Sequence, residues 1–188
     1  MFDHCGSGRL RLAVFAGFPL LVVTLLAARP QGVHAGDMLA ASVKFPDWQL
    51  TDHLGTKRSS GDLAGKRYLV WFFPKAMTPG CTAEGRGLRD SYADFEKLGV
   101  AVFGISSDDP DSNAAFVEAE SFPFPLLSDP DLVLASKVGA GGMLGYARRI
   151  SYLVGADGKV EKAYAEVDPS THATRDAPVA PRQLAQWQ

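Results

Sequence analysis

Cys81 is the side chain in this sequence with the clearest potential for chemistry. It follows an apolar run of strand length, residues 68–73, and a loop that contains Pro74, Pro79 and Gly80. Apolar residues then recur at helical spacing, at Leu88, Tyr92, Phe95 and Leu98. Cys81 is therefore predicted to open a helix, where unpaired backbone N–H groups and the positive end of the peptide dipoles stabilise an anion. Because the thiolate is the reactive form of cysteine, this position favours a nucleophile over the alternative, a small buried apolar side chain.

Thr78 lies three residues before Cys81, near enough for its hydroxyl to reach the sulfur or an oxygen bound there. The pattern Pro-x-x-x-Thr-x-x-Cys after a buried strand resembles the active-site signature of the peroxiredoxins. The longer run Phe-Phe-Pro-Lys-Ala-Met-Thr-Pro-Gly-Cys-Thr, followed by Gly-Leu-Arg-Asp, resembles the bacterioferritin-comigratory-protein (Q-type) subfamily.

The resemblance implies a thiol-dependent peroxidase that reduces hydrogen peroxide and small organic hydroperoxides in antioxidant defence and redox homeostasis. The Cys81 thiolate attacks one peroxide oxygen and becomes a sulfenic acid. Backbone N–H groups of Gly80 and Cys81, the Thr78 hydroxyl and Arg149 are expected to hold the peroxide, and Pro74 is expected to keep water from the sulfur. This chemistry requires no metal and no organic cofactor.

Arg149 is assigned by its register in the resemblance, two residues before a Ser-aromatic-Leu run. Arg148 is expected to point to the opposite face of a strand. The alternative for both is a solvated basic pair at a strand end. Glu84, one helical turn after Cys81, either orients Arg149 through a carboxylate–guanidinium contact or is a first-turn carboxylate without a catalytic part.

Recycling of the sulfenic acid is where the sequence departs from many relatives. Q-type enzymes often carry a resolving cysteine five residues after the first, and that position is Arg86 in this sequence. The other cysteine, Cys5, precedes the mature domain predicted below. We therefore expect a one-cysteine mechanism that uses an external thiol reductant: a thioredoxin-like protein, a glutaredoxin, a small thiol or a second chain. Without a resolving thiol, Cys81 is also open to overoxidation.

Two other classes of function are compatible with the same fold. A thiol–disulfide oxidoreductase or a copper-handling protein needs a second cysteine close to the first, but Glu84 and Gly85 occupy those positions. A non-catalytic binding or holdase module would keep the fold without peroxidase turnover. Peroxide-dependent consumption of thiol distinguishes this last alternative from an enzyme.

Residues 1–35 have the pattern of a secretory signal peptide. Arg9 and Arg11 precede the apolar run 12–28, and Val33-His34-Ala35 places small residues at the −3 and −1 positions of a cut after Ala35. An uncleaved N-terminal anchor is the alternative, and only in that case is contact with a membrane expected. Either outcome predicts an exported protein, periplasmic or secreted.

Composition excludes other classes of partner. The chain has 188 residues, 46% of them hydrophobic, which suits one globular domain, residues 36–188, after the N-terminal segment. A formal charge of −2 with no Lys/Arg cluster gives no attraction for nucleic acid. The histidines are scattered without metal-ligand spacing, so no metal site is predicted.

The pattern of elements predicts a thioredoxin-like α/β fold with a mixed central sheet flanked by helices. An N-terminal β-hairpin over 45–57, with Gly55 in its turn, and a helical turn over 60–63 precede two parallel strands, 68–73 and 100–105, joined by the Cys81 helix. Helices over 111–121 and 132–138 and a glycine-rich loop over 139–145 lead to an antiparallel hairpin with Asp-Gly in its turn. From about residue 167, prolines predict an irregular tail.

Overall fold

The computed structural model describes residues 37–165, which form a seven-stranded mixed β-sheet with helices on both faces. The predicted signal peptide, residues 1–35, and the predicted tail from about residue 167 lie outside the described residues. The strands are β1 Gln49–Asp52, β2 Lys57–Ser59, β3 Arg67–Phe72, β4 Val100–Ser106, β5 Leu126–Ser128, β6 Ile150–Val154 and β7 Val160–Tyr164. The helices are α1 Pro79–Asp90, α2 Tyr92–Lys97, α3 Pro110–Glu120 and α4 Val133–Lys137, with a 3-10 turn at Ser60–Leu63.

The sheet order is β2-β1-β5-β4-β3-β6-β7. Strands β3, β4 and β5 are parallel to one another, whereas β6 is antiparallel to β3 and pairs with β7 in a hairpin. The predicted parallel pair, the Asp-Gly hairpin and the N-terminal hairpin are confirmed. The sequence did not indicate that β1 joins the sheet through antiparallel pairing with β5, with Thr51 opposite Ser128.

Strand β3 divides the interior into two cores because successive side chains of a strand point to opposite faces. Leu69, Trp71 and Phe73 contact one core, which also receives Cys81 and Phe95 from the helices. On the other face, Tyr68, Val70 and Phe72 of β3 contact a second core, which also contains residues of α4. Burial on both faces explains why β3 is a continuous apolar run, and it places α1 against the central strand.

The helical segment after Cys81 is not one helix. The spacing of Leu88, Tyr92, Phe95 and Leu98 predicts a continuous helix, but α1 ends at Asp90 and α2 begins at Tyr92. Ser91 lies between them with φ −98° and ψ 1°, outside the helical region. Apolar periodicity survives this break because both helices pack on the same face of the sheet. Within residues 37–165, no helix is both long and apolar enough to cross a membrane.

Candidate active site

The start of α1 presents Cys81 with two free backbone donors beside it. Thr78 is the N-cap and Pro79 occupies the first turn, where its missing N–H costs nothing. The Thr82 N–H donates to the Thr78 carbonyl at 2.9 Å, which leaves the N–H groups of Gly80 and Cys81 ahead of the first bond of the helix. The Cys81 side chain lies in the core between α1 and the sheet and is 0% exposed. An oxygen atom that reaches the sulfur therefore meets the positive end of α1.

Arg149 reaches the same sulfur from the other side. Its Nη2 lies 3.6 Å from Cys81 Sγ. This placement follows from the sheet, because Ile150 at the start of β6 pairs with Phe72 at the end of β3, just before the loop that leads to Cys81. Arg148 instead donates to the Gly139 carbonyl at 3.2 Å. The sequence-based choice of Arg149 over Arg148 agrees with this geometry.

Glu84 contacts Arg149, as one of its two interpretations requires. Its Oε2 accepts a hydrogen bond from Arg149 Nη1 and another from Trp71 Nε1, the latter at 3.0 Å. Burial raises the pKa of Glu84, and the neighbouring Arg149 and Trp71 oppose that rise. Although burial alone would lower the pKa of Arg149, the carboxylate of Glu84 and the Cys81 sulfur outweigh it and raise that pKa. The guanidinium therefore stays charged next to the sulfur.

Trp71 is the part of this site that the sequence did not reveal. Within an apolar strand it reads as a core residue, and its ring does stack on Phe73 at 4.4 Å between centroids. A buried indole N–H nevertheless needs an acceptor, and Glu84 is that acceptor. The available signal in the sequence was that the N–H of a buried tryptophan usually has a polar partner.

Thr78 does not donate to Cys81 in this structure. Its hydroxyl donates to the Lys75 carbonyl at 2.9 Å. Because a hydroxyl oxygen keeps two acceptor lone pairs, Thr78 remains able to accept a hydrogen bond from a peroxide O–H. Pro74 and Gly80 are partly buried on either side of this turn.

Position 86, where a resolving cysteine was considered, holds an ion pair. Arg86 Nε and Nη2 donate to the two carboxylate oxygens of Glu120 at 2.6 and 3.1 Å, which ties α1 to the end of α3. Cys81 is the one cysteine among residues 37–165. No three His, Cys, Asp or Glu side chains in that described part of the chain are grouped so that they could hold a metal ion.

Comparisons with known proteins agree with this geometry. Residues 41–163 match the AhpC/TSA family. The chain is 40% identical over 134 residues to peroxiredoxin Bcp of Escherichia coli K12, a match that covers 68% of this chain and 86% of that protein.

Two solved structures share the fold. Peroxidoxin BcpB of Mycobacterium tuberculosis superposes with a TM-score of 0.72 at 30% identity, over 80% of this chain and 99% of that one. The bacterioferritin comigratory protein of Xanthomonas campestris superposes with a TM-score of 0.69 at 28% identity, over 79% of this chain and 100% of that one. Alkyl peroxide reduction activity is described for that protein. The chain therefore belongs to the AhpC/TSA family and is a thiol-dependent peroxidase of the peroxiredoxin type, similar to the Bcp and Q-type proteins.

Proposed function

We propose that this protein reduces hydrogen peroxide and small organic hydroperoxides at Cys81 by a one-cysteine mechanism with an external thiol as reductant. The observation that carries the proposal is the 3.6 Å approach of Arg149 Nη2 to Cys81 Sγ at the start of α1. A permanent cation and a helix N-terminus both attract negative charge to this position. They also favour negative charge on a departing peroxide oxygen.

In the oxidative half-reaction, the Cys81 thiolate attacks the terminal oxygen of ROOH, the O–O bond breaks, and the electron pair leaves on RO⁻. A proton then gives ROH, water when R is hydrogen, and the sulfur is left as Cys81–SOH. The Thr78 oxygen accepts a hydrogen bond from the peroxide O–H, since the Thr78 hydroxyl already donates its own hydrogen to the Lys75 carbonyl. The N–H groups of Gly80 and Cys81 and the Arg149 guanidinium stabilise the charge that develops on the departing oxygen.

In the reductive half-reaction, an external thiol R′SH attacks the sulfenic acid, forms Cys81–S–S–R′ and releases water. A second R′SH then attacks the R′-bearing sulfur of this mixed disulfide, which releases R′SSR′ and returns Cys81 to the thiolate. An internal disulfide has no partner in residues 37–165, where Cys81 is the only cysteine. The proposed reductant is a thioredoxin-like protein, a glutaredoxin, a small thiol or a second chain.

The proposed site of action is outside the cytoplasm, in the periplasm or the surrounding medium, as part of antioxidant defence. The support is the order of basic residues, apolar run and small residues within residues 1–35. Fractionation of cells that express the full chain, followed by mass measurement of its N-terminus, distinguishes cleavage after Ala35 from a membrane-tethered precursor. Recovery of the full-length chain in the cytoplasm contradicts export.

The test of the peroxidase site is stopped-flow oxidation by H₂O₂, followed by Trp fluorescence, with dimedone to trap the sulfenic acid. We expect a rate far above that of free cysteine, loss of the reaction in Cys81→Ser, and a reduction of about 10²-fold in Arg149→Ala. Arg148→Ala is the matched control, because the adjacent arginine contacts the Gly139 carbonyl instead of the sulfur. A wild-type rate no faster than free cysteine refutes the proposal.

A further inference from the structure

Asp108, just beyond the end of β4, holds the loop that leads to Cys81. Its Oδ2 accepts the Ala76 backbone N–H at 2.8 Å, and its Oδ1 accepts from Lys75 Nζ at 2.5 Å. The Asp108 side chain is 1% exposed, whereas that of Lys75 is half exposed. Asp108 is therefore a buried carboxylate whose partners both belong to the active-site loop, although it does not touch the sulfur.

The loop needs such a support because its backbone is unusual. Met77 has φ +62°, a left-handed conformation that a residue with a side chain rarely adopts. The Met77 side chain is 57% exposed, so core packing does not hold it there. Strained residues of this kind persist only when their surroundings fix them. Asp108 fixes the residue before Met77, and the bond from the Thr78 hydroxyl to the Lys75 carbonyl closes the turn after it.

Asp108 is itself held by a buried polar cluster of Ser106, Asn113 and Ser128. The Asp108 N–H donates to Ser106 Oγ at 3.2 Å, and Ser106 Oγ donates to Asn113 Oδ1 at 3.3 Å. Asn113 Nδ2 in turn donates to Ser128 Oγ at 3.2 Å and lies 3.5 Å from the Asp108 carbonyl. These contacts connect the ends of β4 and β5 to α3, so the backbone that carries the Asp108 side chain is anchored to three elements of the fold.

We propose that Asp108 is a positioning residue of the peroxidase site, which sets the backbone at Lys75 and Ala76 so that Thr78 and the start of α1 meet the peroxide in a fixed geometry. The inference rests on the proposed roles of Cys81 and Thr78. An ionised carboxylate suits this task because it accepts on both oxygens. An asparagine accepts from the Ala76 N–H through its one oxygen and turns its NH₂ donors towards the Lys75 ammonium.

The experiment compares two reactions of the same sulfur in the full-length protein. Oxidation by H₂O₂ needs the thiolate and the peroxide-binding loop, whereas alkylation by iodoacetamide needs only an accessible thiolate. A misplaced loop therefore lowers the ratio of the H₂O₂ rate constant to the iodoacetamide rate constant. Because unfolding would lower this ratio too, it is measured only under conditions in which denaturation curves show each variant to be fully folded. We expect Asp108→Ala to lower the ratio by about 10- to 100-fold and Asp108→Asn to lower it less. Lys75→Met should lower it least, because its exposed ammonium contributes little.

Asp129 provides the matched control. Like Asp108, it is a buried aspartate with both side-chain oxygens hydrogen-bonded. Its donors are the backbone N–H groups of Val133 and Ala135, at 2.8 and 2.9 Å, at the start of α4, and it does not contact residues 75–78. We expect Asp129→Asn to leave the rate ratio of the folded protein within about twofold of wild type. If Asp108→Ala does not fold, the comparison of Asp108→Asn with Asp129→Asn decides the question.

A ratio in the Asp108 variants equal to that of wild type and of the Asp129 variant overturns the inference. This outcome is distinct from failure of the proposed function, in which wild-type protein itself reacts with H₂O₂ no faster than free cysteine. A lowered ratio in Asp108→Asn that returns to the wild-type value once only the folded fraction is counted also overturns the inference, because it assigns the aspartate a purely structural role.

Discussion

Glu84 on α1 accepts a hydrogen bond from Arg149, which lies 65 residues further along the chain, and the same guanidinium reaches the sulfur of Cys81. Trp71 on β3 donates to the same carboxylate oxygen. The Glu84 carboxylate thus connects α1 to β3 and to the residue just before β6, without touching the sulfur itself. Glu84 therefore orients the Arg149 guanidinium, which is the one cationic group in contact with Cys81 among the described residues.

Replacement of Glu84 by glutamine should therefore slow the peroxidase reaction while the protein stays folded. Glutamine keeps an oxygen for Trp71 but loses the charge that orients Arg149, and we expect the H₂O₂ rate constant to fall about 10-fold or more. Stopped-flow oxidation measures this effect. A rate equal to wild type would assign Glu84 to the other interpretation, a first-turn carboxylate without a part in catalysis.

The pH dependence of the reaction should report the protonation of Glu84. Because burial raises the pKa of this carboxyl above its ordinary value of 4.5, it takes up a proton at a higher pH than an exposed glutamate does. We expect the rate constant to fall as pH decreases through this raised pKa, and Glu84→Gln to lack that step. The contribution of Glu84 to the free energy of unfolding changes in the opposite direction. It is fully present below pH 4.5, where the carboxyl is protonated in both states, and it is lost as pH rises through the raised pKa of the folded protein. Urea denaturation of both proteins across this range measures it.

Gly85 and Gly87 lie on the same helix but should respond differently to alanine. A Cβ at Gly85 would lie 2.3 Å from Cζ of Phe122, whereas a Cβ at Gly87 would meet no atom within 4 Å. We expect Gly85→Ala to lower the free energy of unfolding by about 1–3 kcal/mol through overpacking. Gly87→Ala should raise it by about 0.5–1 kcal/mol through improved helix propensity. Chemical denaturation compares the two, and a neutral Gly85→Ala contradicts the described packing of α1 on Phe122.

Arg86→Cys should give the enzyme an internal resolving thiol. Five residues of helix separate positions 81 and 86 by about 7.5 Å along the axis, more than the roughly 7 Å between Cα atoms that a disulfide allows. Disulfide formation therefore requires the first turns of α1 to unwind, and loss of the Arg86–Glu120 pair makes that easier. We expect H₂O₂ to produce a disulfide in the variant, with a mass loss of about two hydrogens, and less overoxidation than in Arg86→Ser. Persistent dimedone labelling without a disulfide would show that α1 remains closed.

Asp52 should make the N-terminal hairpin sensitive to acid. This buried carboxylate accepts hydrogen bonds from the Leu54 and Thr56 N–H groups and from Arg58 Nε at 2.8–2.9 Å. Burial alone would raise the pKa of Asp52, but these donors outweigh it and lower the pKa below 3.8. Its stability contribution is therefore present above pH 3.8 and lost as pH falls through the lowered pKa. We expect Asp52→Asn to cost about 1–3 kcal/mol at neutral pH and to flatten this acid dependence, as measured by denaturation at each pH.

Local patterns in the sequence were sufficient for most elements of the fold but not for all of their pairings. The buried runs of β3 and β4 and the Asp-Gly turn before β7 specify strands and neighbours through short-range rules. The pairing of β1 with β5 does not follow from such rules, because it joins segments more than 70 residues apart through two paired positions. The break between α1 and α2 at Ser91 could not be predicted either, because the spacing of apolar residues is the same in one continuous helix and in two helices that pack on the same face of the sheet.

The residues of the candidate site likewise fall into those that the sequence identified and those that it did not. Cys81, Thr78 and Arg149 were identified because their types and spacing match a known signature, and the structure brings Cys81 and Arg149 into contact. Trp71 and Asp108 were missed because their polar bonds form between distant segments. Asp108 could have been suspected, since it follows a parallel strand at the same edge of the sheet as the Cys81 loop, where functional side chains collect.

The central position of β3 has a consequence for when reactivity appears in a newly made chain. Its two neighbours are β4 and β6, and β6 is completed only at Val154, long after Cys81 has been synthesised. Pairing over such a distance is slow because the loop between the strands must close first. Until then the thiol has neither Arg149 nor a stable helix start beside it and reacts as an ordinary cysteine. Fast oxidation by peroxide therefore reports completed folding, and it can serve as a kinetic probe of the moment when β6 docks.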